Sequence, residues 1–151
     1  MVNKTTIGRP MEILLVEDSL SDARATIEAL KEGGVQHRLT LLRDGEEATE
    51  FLNREGKFTR APRPDLILLD LQLPRKDGRE LLSEIKQDYE LSQIAIVVLT
   101  SSRDEQDILR SQLLNVDSYI TKPVDLDKFL AVVRQLRKRY WLRDVIVPGV
   151  D

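Results

Sequence analysis

The chain has 151 residues, room for one domain, and its 41% hydrophobic and 32% charged composition is that of an ordinary soluble globular protein. Twenty-three basic against 26 acidic side chains leave a net charge of −3, which gives no field that seeks out a polyanion; the absence of cysteine excludes disulfides, thiolate metal sites and cysteine nucleophiles. The single histidine, His37, argues against a His-rich metal centre or a Ser/His/Asp triad, apolar runs of at most six residues span no membrane, and residues 1–12 lack a signal-peptide core, so the expected location is the cytoplasm.

Along the chain, five short apolar runs alternate with five stretches of helical period. Residues 13–16 (ILLV) form the first run, followed by a helix over 22–32 with Ala23, Ile27 and Leu30 on one side and a stop at Gly33-Gly34. The second run is 39–42 (LTLL), and the helix near 46–55 carries Ala48, Phe51 and Leu52 and ends at Gly56. Residues 56–64 (GKFTRAPRP) read as a surface loop, since Pro and Gly break both periods. The third run, 66–69 (LILL), leads to a helix after Gly78 that repeats Leu81, Leu82, Ile85 and Tyr89. Then come 94–99 (IAIVVL) and a weaker helix from Asp104 with Ile108, Leu109 and Leu113. The last pair is 118–120 (SYI) and a helix in which Leu126, Phe129, Leu130, Val133, Leu136 and Tyr140 follow the i, i+3, i+4, i+7 rule.

Continuous rather than alternating apolarity is what strands need when helices cover both faces of a parallel sheet. Strict β–α alternation with short connections predicts an α/β, doubly wound (βα)5 flavodoxin-like sandwich with parallel sheet order 2-1-3-4-5. Residues 12–140 make that domain, residues 1–11 precede it, and residues 141–151 (WLRDVIVPGVD) form a short C-terminal extension.

The polar residues at the strand ends carry the function. The first run ends in Glu17-Asp18, the third in Asp70, the fourth in Thr100-Ser101-Ser102 and the fifth in Thr121-Lys122-Pro123. A parallel sheet puts every carboxyl end on one edge, and in the expected order these groups converge on the crevice where such folds bind ligands. Three carboxylates brought together repel unless a cation intervenes, and an all-oxygen donor set with a nearby phosphate suits Mg²⁺. Lys122 supplies a point charge for a phosphoryl oxygen and Thr100 a hydroxyl; with a central carboxylate, Asp70, as nucleophile, the set makes a phosphoryl-transfer site. Each member alone has a plainer reading. Asp18 or Ser21 caps the first helix, Asp70 starts an Asx turn, Thr100 or Ser101 caps the fourth helix, and Lys122 is a surface residue. Four such coincidences at one edge, in the right order, argue for the site.

The set LLVEDS, LILLDLQLPRKDG, VVLTSS and YITKP resembles the receiver domain of two-component response regulators, from about Glu12 to Tyr140. The resemblance implies a phosphoaspartate at Asp70, formed from a sensor histidine kinase's phosphohistidine. It implies Asp18 as a direct Mg²⁺ ligand with Glu17 beside it, Glu17 standing where many relatives carry Asp, and the Gln72 backbone carbonyl as a further ligand. Thr100 matches the hydroxyl that moves to meet the phosphoryl group, Lys122 the family's lysine, Lys122–Pro123 its cis peptide, and Tyr119 the aromatic switch. PRPDLILLDLQLPRKDGRELLSEIK and YWLRDVIVP are similar to cyanobacterial regulators that serve phytochrome kinases, which implies a phytochrome-type partner whose chromophore belongs to the kinase. Phosphorylation is then expected to bias a surface made of the fourth helix, fifth strand and fifth helix.

Output by direct nucleic-acid binding is not expected: the basic run Arg134, Arg137, Lys138, Arg139 and Arg143 sits on an acidic chain with no readout fold. Its sign is opposite to Asp104, Glu105 and Asp107 on the fourth helix, which favours a homodimer through helix 4, strand 5, helix 5 and the apolar tail Trp141, Leu142, Val145, Ile146 and Val147. The alternatives are a phosphorylation-independent dimeric adaptor and a phosphatase of the haloacid dehalogenase type. The latter pairs its nucleophile with a second Asp two residues on, where this chain has Gln72, so only slow self-hydrolysis of the phosphoaspartate is expected. A P-loop or dinucleotide enzyme is excluded because the first βα turn, EDSLSD, has no glycine.

Overall fold

A computed structural model describes residues 9–112 and 114–137. Five strands, β1 (Met11–Val16), β2 (His37–Leu42), β3 (Leu66–Asp70), β4 (Ala95–Thr100) and β5 (Ser118–Thr121), form one sheet. All pairings are parallel and the order is β2-β1-β3-β4-β5, as the alternation predicts. The helices are α1 (Leu20–Glu32), α2 (Gly45–Leu52), α3 (Gly78–Gln87), α4 (Arg103–Ser111) and α5 (Leu126–Leu136). Among the described residues no helix is long and apolar enough to cross a membrane.

The continuous apolar runs split by parity, because successive strand side chains point to opposite faces. Ile13, Leu15, Leu66, Leu68, Val97 and Leu99 pack with Ala23, Leu30, Phe129, Val133 and Leu136 of α1 and α5. Leu14, Val16, Ile67, Leu69, Ile96 and Val98 pack with Ala48, Phe51, Leu81, Leu82, Ile85 and Leu109 of α2, α3 and α4. A buried Leu or Ile on either side contributes about 1.5–3 kcal/mol, so both layers tie the sheet tightly and leave its carboxyl edge to the loops.

Three expectations are corrected. Tyr89 is not on the inner face of the third helix: α3 stops at Gln87, Asp88 turns extended, and Tyr89 is 87% exposed while Leu91 takes the buried place. Ile108 is 59% exposed because α4 meets the sheet along a narrow line that only Leu109 occupies. The second helix ends at Leu52, ahead of Arg54 at a left-handed φ of 55°, and the following loop contains a 3-10 turn, Gly56–Phe58, whose Phe58 ring packs edge-on against Phe51 at 5.4 Å. Leu113, Lys138, Arg139, Tyr140, Arg143 and the apolar tail lie outside the described residues.

Candidate functional site

The strand ends converge as the topology requires. Glu17 and Asp18 follow β1, Asp70 ends β3, and Lys122 follows β5; all line one open crevice of about 500 Å³ together with Ser19, Asp22, Gln72 and Ser101. Lys122 reaches across the sheet edge. Its Nζ stands 2.6 Å from Asp70 Oδ2, 2.8 Å from Glu17 Oε1 and 3.2 Å from Asp22 Oδ2. Its side chain is only 15% exposed, unlike that of a surface lysine. The Lys122–Pro123 peptide is cis.

Electrostatics follow from this packing. Glu17 is buried, and burial pushes its carboxyl up to about 7; Lys122 and the Ser19 N–H oppose the rise, and Asp70 adds to it. Burial works against the Lys122 charge, but the negative charges of Asp70 and Glu17 beside it prevail and hold the ammonium above its ordinary value. Although Nζ is within ion-pair distance of Glu17 Oε1, the approach lacks hydrogen-bond directionality, and that oxygen is the one buried side-chain atom among the described residues without a hydrogen bond.

The plainer readings of single residues divide. Ser19, neither Asp18 nor Ser21, caps α1 by accepting from the Asp22 N–H. Asp18 is thus spared capping; its half-exposed carboxylate lies 3.9 Å from the Arg43 guanidinium, which also donates to the Asp18 carbonyl. Ser102, neither Thr100 nor Ser101, caps α4. Asp70 does make an Asx turn, accepting from the Gln72 N–H at 2.8 Å through Oδ1, and reaches Lys122 through Oδ2 at the same time. The loop beyond it is pinned where the Gly78 N–H donates to the Leu71 carbonyl, an approach so close that a Cβ at Gly78 would strike the Leu71 and Asp70 backbone.

Thr100 is not at the rim. It is fully buried as the last residue of a strand with neighbours on both sides, and its hydroxyl faces the Ile120 carbonyl at 3.4 Å; Ser101 takes its place on the crevice wall. Tyr119, on the neighbouring strand β5, is half-buried, its hydroxyl 3.5 Å from the Leu109 carbonyl. Asp22 was missed, since an acidic residue in a helix's first turn reads as a partner of the helix dipole; its position beside the cap Ser19, at the mouth of the crevice, was the available signal. As they lie, no three His, Asp or Glu side chains among the described residues are grouped as metal ligands; Lys122 stands between Glu17 and Asp70.

The profile of the response regulator receiver domain matches residues 13–134, most of the chain. The chain belongs to this family. Among relatives of this response regulator, Rcp1 of Synechocystis sp. is 47% identical over 140 residues, covering 93% of this chain and 95% of that one. A crystal structure of the Mn(2+)-bound form of Rcp1 is 48% identical, covers 93% of this chain and 100% of that chain, and superposes with a TM-score of 0.70. The phosphorylated cyanobacterial phytochrome response regulator RcpA is 45% identical, with 93% and 99% coverage and a TM-score of 0.70. The protein is therefore a receiver-domain response regulator related to cyanobacterial phytochrome response regulators, a signalling protein by family rather than an enzyme that turns over an external substrate.

Proposed function

We propose that Asp70 accepts a phosphoryl group from the phosphohistidine of a sensor histidine kinase of the phytochrome type. The observation that carries this reading is the 2.6 Å pairing of the Lys122 ammonium with Asp70 Oδ2 at the edge where Glu17 and Asp18 also gather. An Asp70 carboxylate oxygen attacks phosphorus in line; the O–P bond forms, the N–P bond breaks, and the departing imidazole nitrogen keeps the electron pair and takes a proton from water. Lys122 remains beside the product and offsets part of the nearly two negative charges placed there.

Asp18, Glu17, Asp70 and the Gln72 backbone carbonyl are the residues that would hold a divalent cation, Mg²⁺ by the hardness of the donors. They fit: the donors are all oxygen, and the buried Glu17 oxygen without a hydrogen bond is a group a cation satisfies. When bound, the cation supplies charge neutralisation at the transferring phosphoryl oxygens.

Thr100, the buried last residue of β4, donates its hydroxyl to the phosphoryl group after a rotation, and Tyr119 moves into the space it leaves. The α4–β5–α5 surface changes with them. Asp104 and Asp107 on α4 and Arg134 on α5 are exposed with opposite charge, which supports a homodimer through this face, joined by the C-terminal tail. Slow self-hydrolysis returns the protein to its starting state; Gln72 offers no carboxyl for faster turnover.

The test is phosphotransfer from an autophosphorylated phytochrome kinase in Mg²⁺. The wild type takes the label and Asp70→Asn does not. A wild type that stays unlabelled while binding the kinase favours the adaptor reading instead.

A further inference from the structure

Helix α4 is held to the sheet by little apolar burial, for Leu109 is its one buried residue. Polar contacts with β5 do the rest. The Arg110 guanidinium lies 4.8 Å from the centroid of the Tyr119 ring, a cation–π distance. Gln106, with its amide oxygen turned to Arg110, accepts from Nη2 at 2.8 Å and from Nε at 3.2 Å, and its amide nitrogen donates to Thr121 Oγ1 at 3.1 Å. The guanidinium is thus fixed by Gln106 while it lies over the ring. Tyr119 is fastened at its other end, where its hydroxyl meets the Leu109 carbonyl. Burial raises the Tyr119 phenol and the Arg110 charge opposes that rise, as expected of a cation beside a half-buried ring.

We propose that Arg110 is a positioning residue for the signal: the Arg110–Gln106–Thr121 bracket holds Tyr119 in its half-buried place beside α4, and its release limits how readily modification of Asp70 reshapes the α4–β5 face. The proposal rests on the reading of Asp70 as phosphoacceptor and Tyr119 as switch. Rotation of Tyr119 away from this place breaks the ring's contact with Arg110 and the hydroxyl's with Leu109 in one movement. Whatever favours the rotated position must overcome both contacts, and by linkage whatever weakens them raises the population of the state that favours modification of Asp70. Arginine suits this place better than lysine, since its guanidinium lies over the ring while two of its N–H groups meet one amide oxygen.

The test compares Arg110→Ala and Arg110→Lys with the wild type, using phosphoramidate as a small donor that needs no kinase surface. Dilute samples, shown monomeric by light scattering, keep assembly out of the rate. The initial labelling rate, read by intact mass in Mg²⁺, should rise about two- to fivefold in Arg110→Ala, the weight of one exposed cation–π contact, with Arg110→Lys between. In unphosphorylated Arg110→Ala, the Tyr119 ring resonances should move toward their positions in the phosphorylated wild type. An unchanged or slower rate, ring resonances that stay in place, or a lower melting temperature without faster labelling overturns the proposal and leaves Arg110 a structural brace. A labelled wild type keeps the Asp70 reading intact in any of those cases; an unlabelled one removes that reading and this proposal with it.

Discussion

Glu17 carries a desolvation cost that Lys122 offsets only in part. Because its carboxyl is raised from 4.5 to about 7 in the folded chain, the folded state binds the proton more tightly than the unfolded one. This group's contribution is therefore full below about pH 4.5 and is lost as the pH rises through 7. Glu17→Gln removes that dependence. In urea unfolding without divalent cation, the variant should match the wild type near pH 4.5 and exceed it by about 1–2 kcal/mol at pH 8. A constant difference across that range, or a variant weaker at pH 8, contradicts the assignment. At this scale the strand-end groups were legible because parallel topology leaves Glu17, Asp18, Asp70 and Lys122 nowhere else to go. Thr100 was not, since its burial depends on how β5 and α4 close over the end of β4, and no local pattern reports that.

At the scale of elements, the β3–α3 connection decides how Asp70 is presented. Its Asx turn to Gln72, the Gly78–Leu71 bond and the Asp77 cap on α3 follow one another within nine residues. Gly78→Ala should destabilise the protein by about 1–3 kcal/mol, because the added methyl meets backbone that can yield only by moving Asp70 itself. Labelling of Asp70 should slow in the same variant; a stable variant with wild-type labelling shows that the loop is not held as described. Helical period found the five α-helices among the described residues, yet it erred where contact is thin. Tyr89 continues the α3 pattern by spacing alone, but Asp88 has already broken the helix; Ile108 keeps an apolar spacing on a helix that presents only Leu109 to the sheet. Periodicity shows which side is apolar and does not show where a neighbouring element ends.

For the whole molecule, two apolar layers of opposite parity lock the sheet, and the chemistry sits where neither reaches. Family membership and strand order were legible across nearly the entire chain because the β–α alternation is unbroken. The proposed homodimer is a separate matter, and its test is surface charge. If α4 of one copy meets α5 of another, Asp107→Lys or Arg134→Glu alone should weaken self-association by about 1 kcal/mol, roughly fivefold in Kd, and the two mixed together should restore it. Sedimentation equilibrium at low and high salt reads the difference, and equal association in all four samples removes this face from the dimer.

The carboxylate paired with Lys122 is the group proposed to receive phosphorus. Borohydride reduction of the labelled protein, followed by peptide mass spectrometry, reads the modified residue directly. The acyl phosphate should be trapped at Asp70 and absent from Asp70→Asn, whereas reduction found at Asp18 or Glu17, or persisting in Asp70→Asn, contradicts Asp70 as the acceptor.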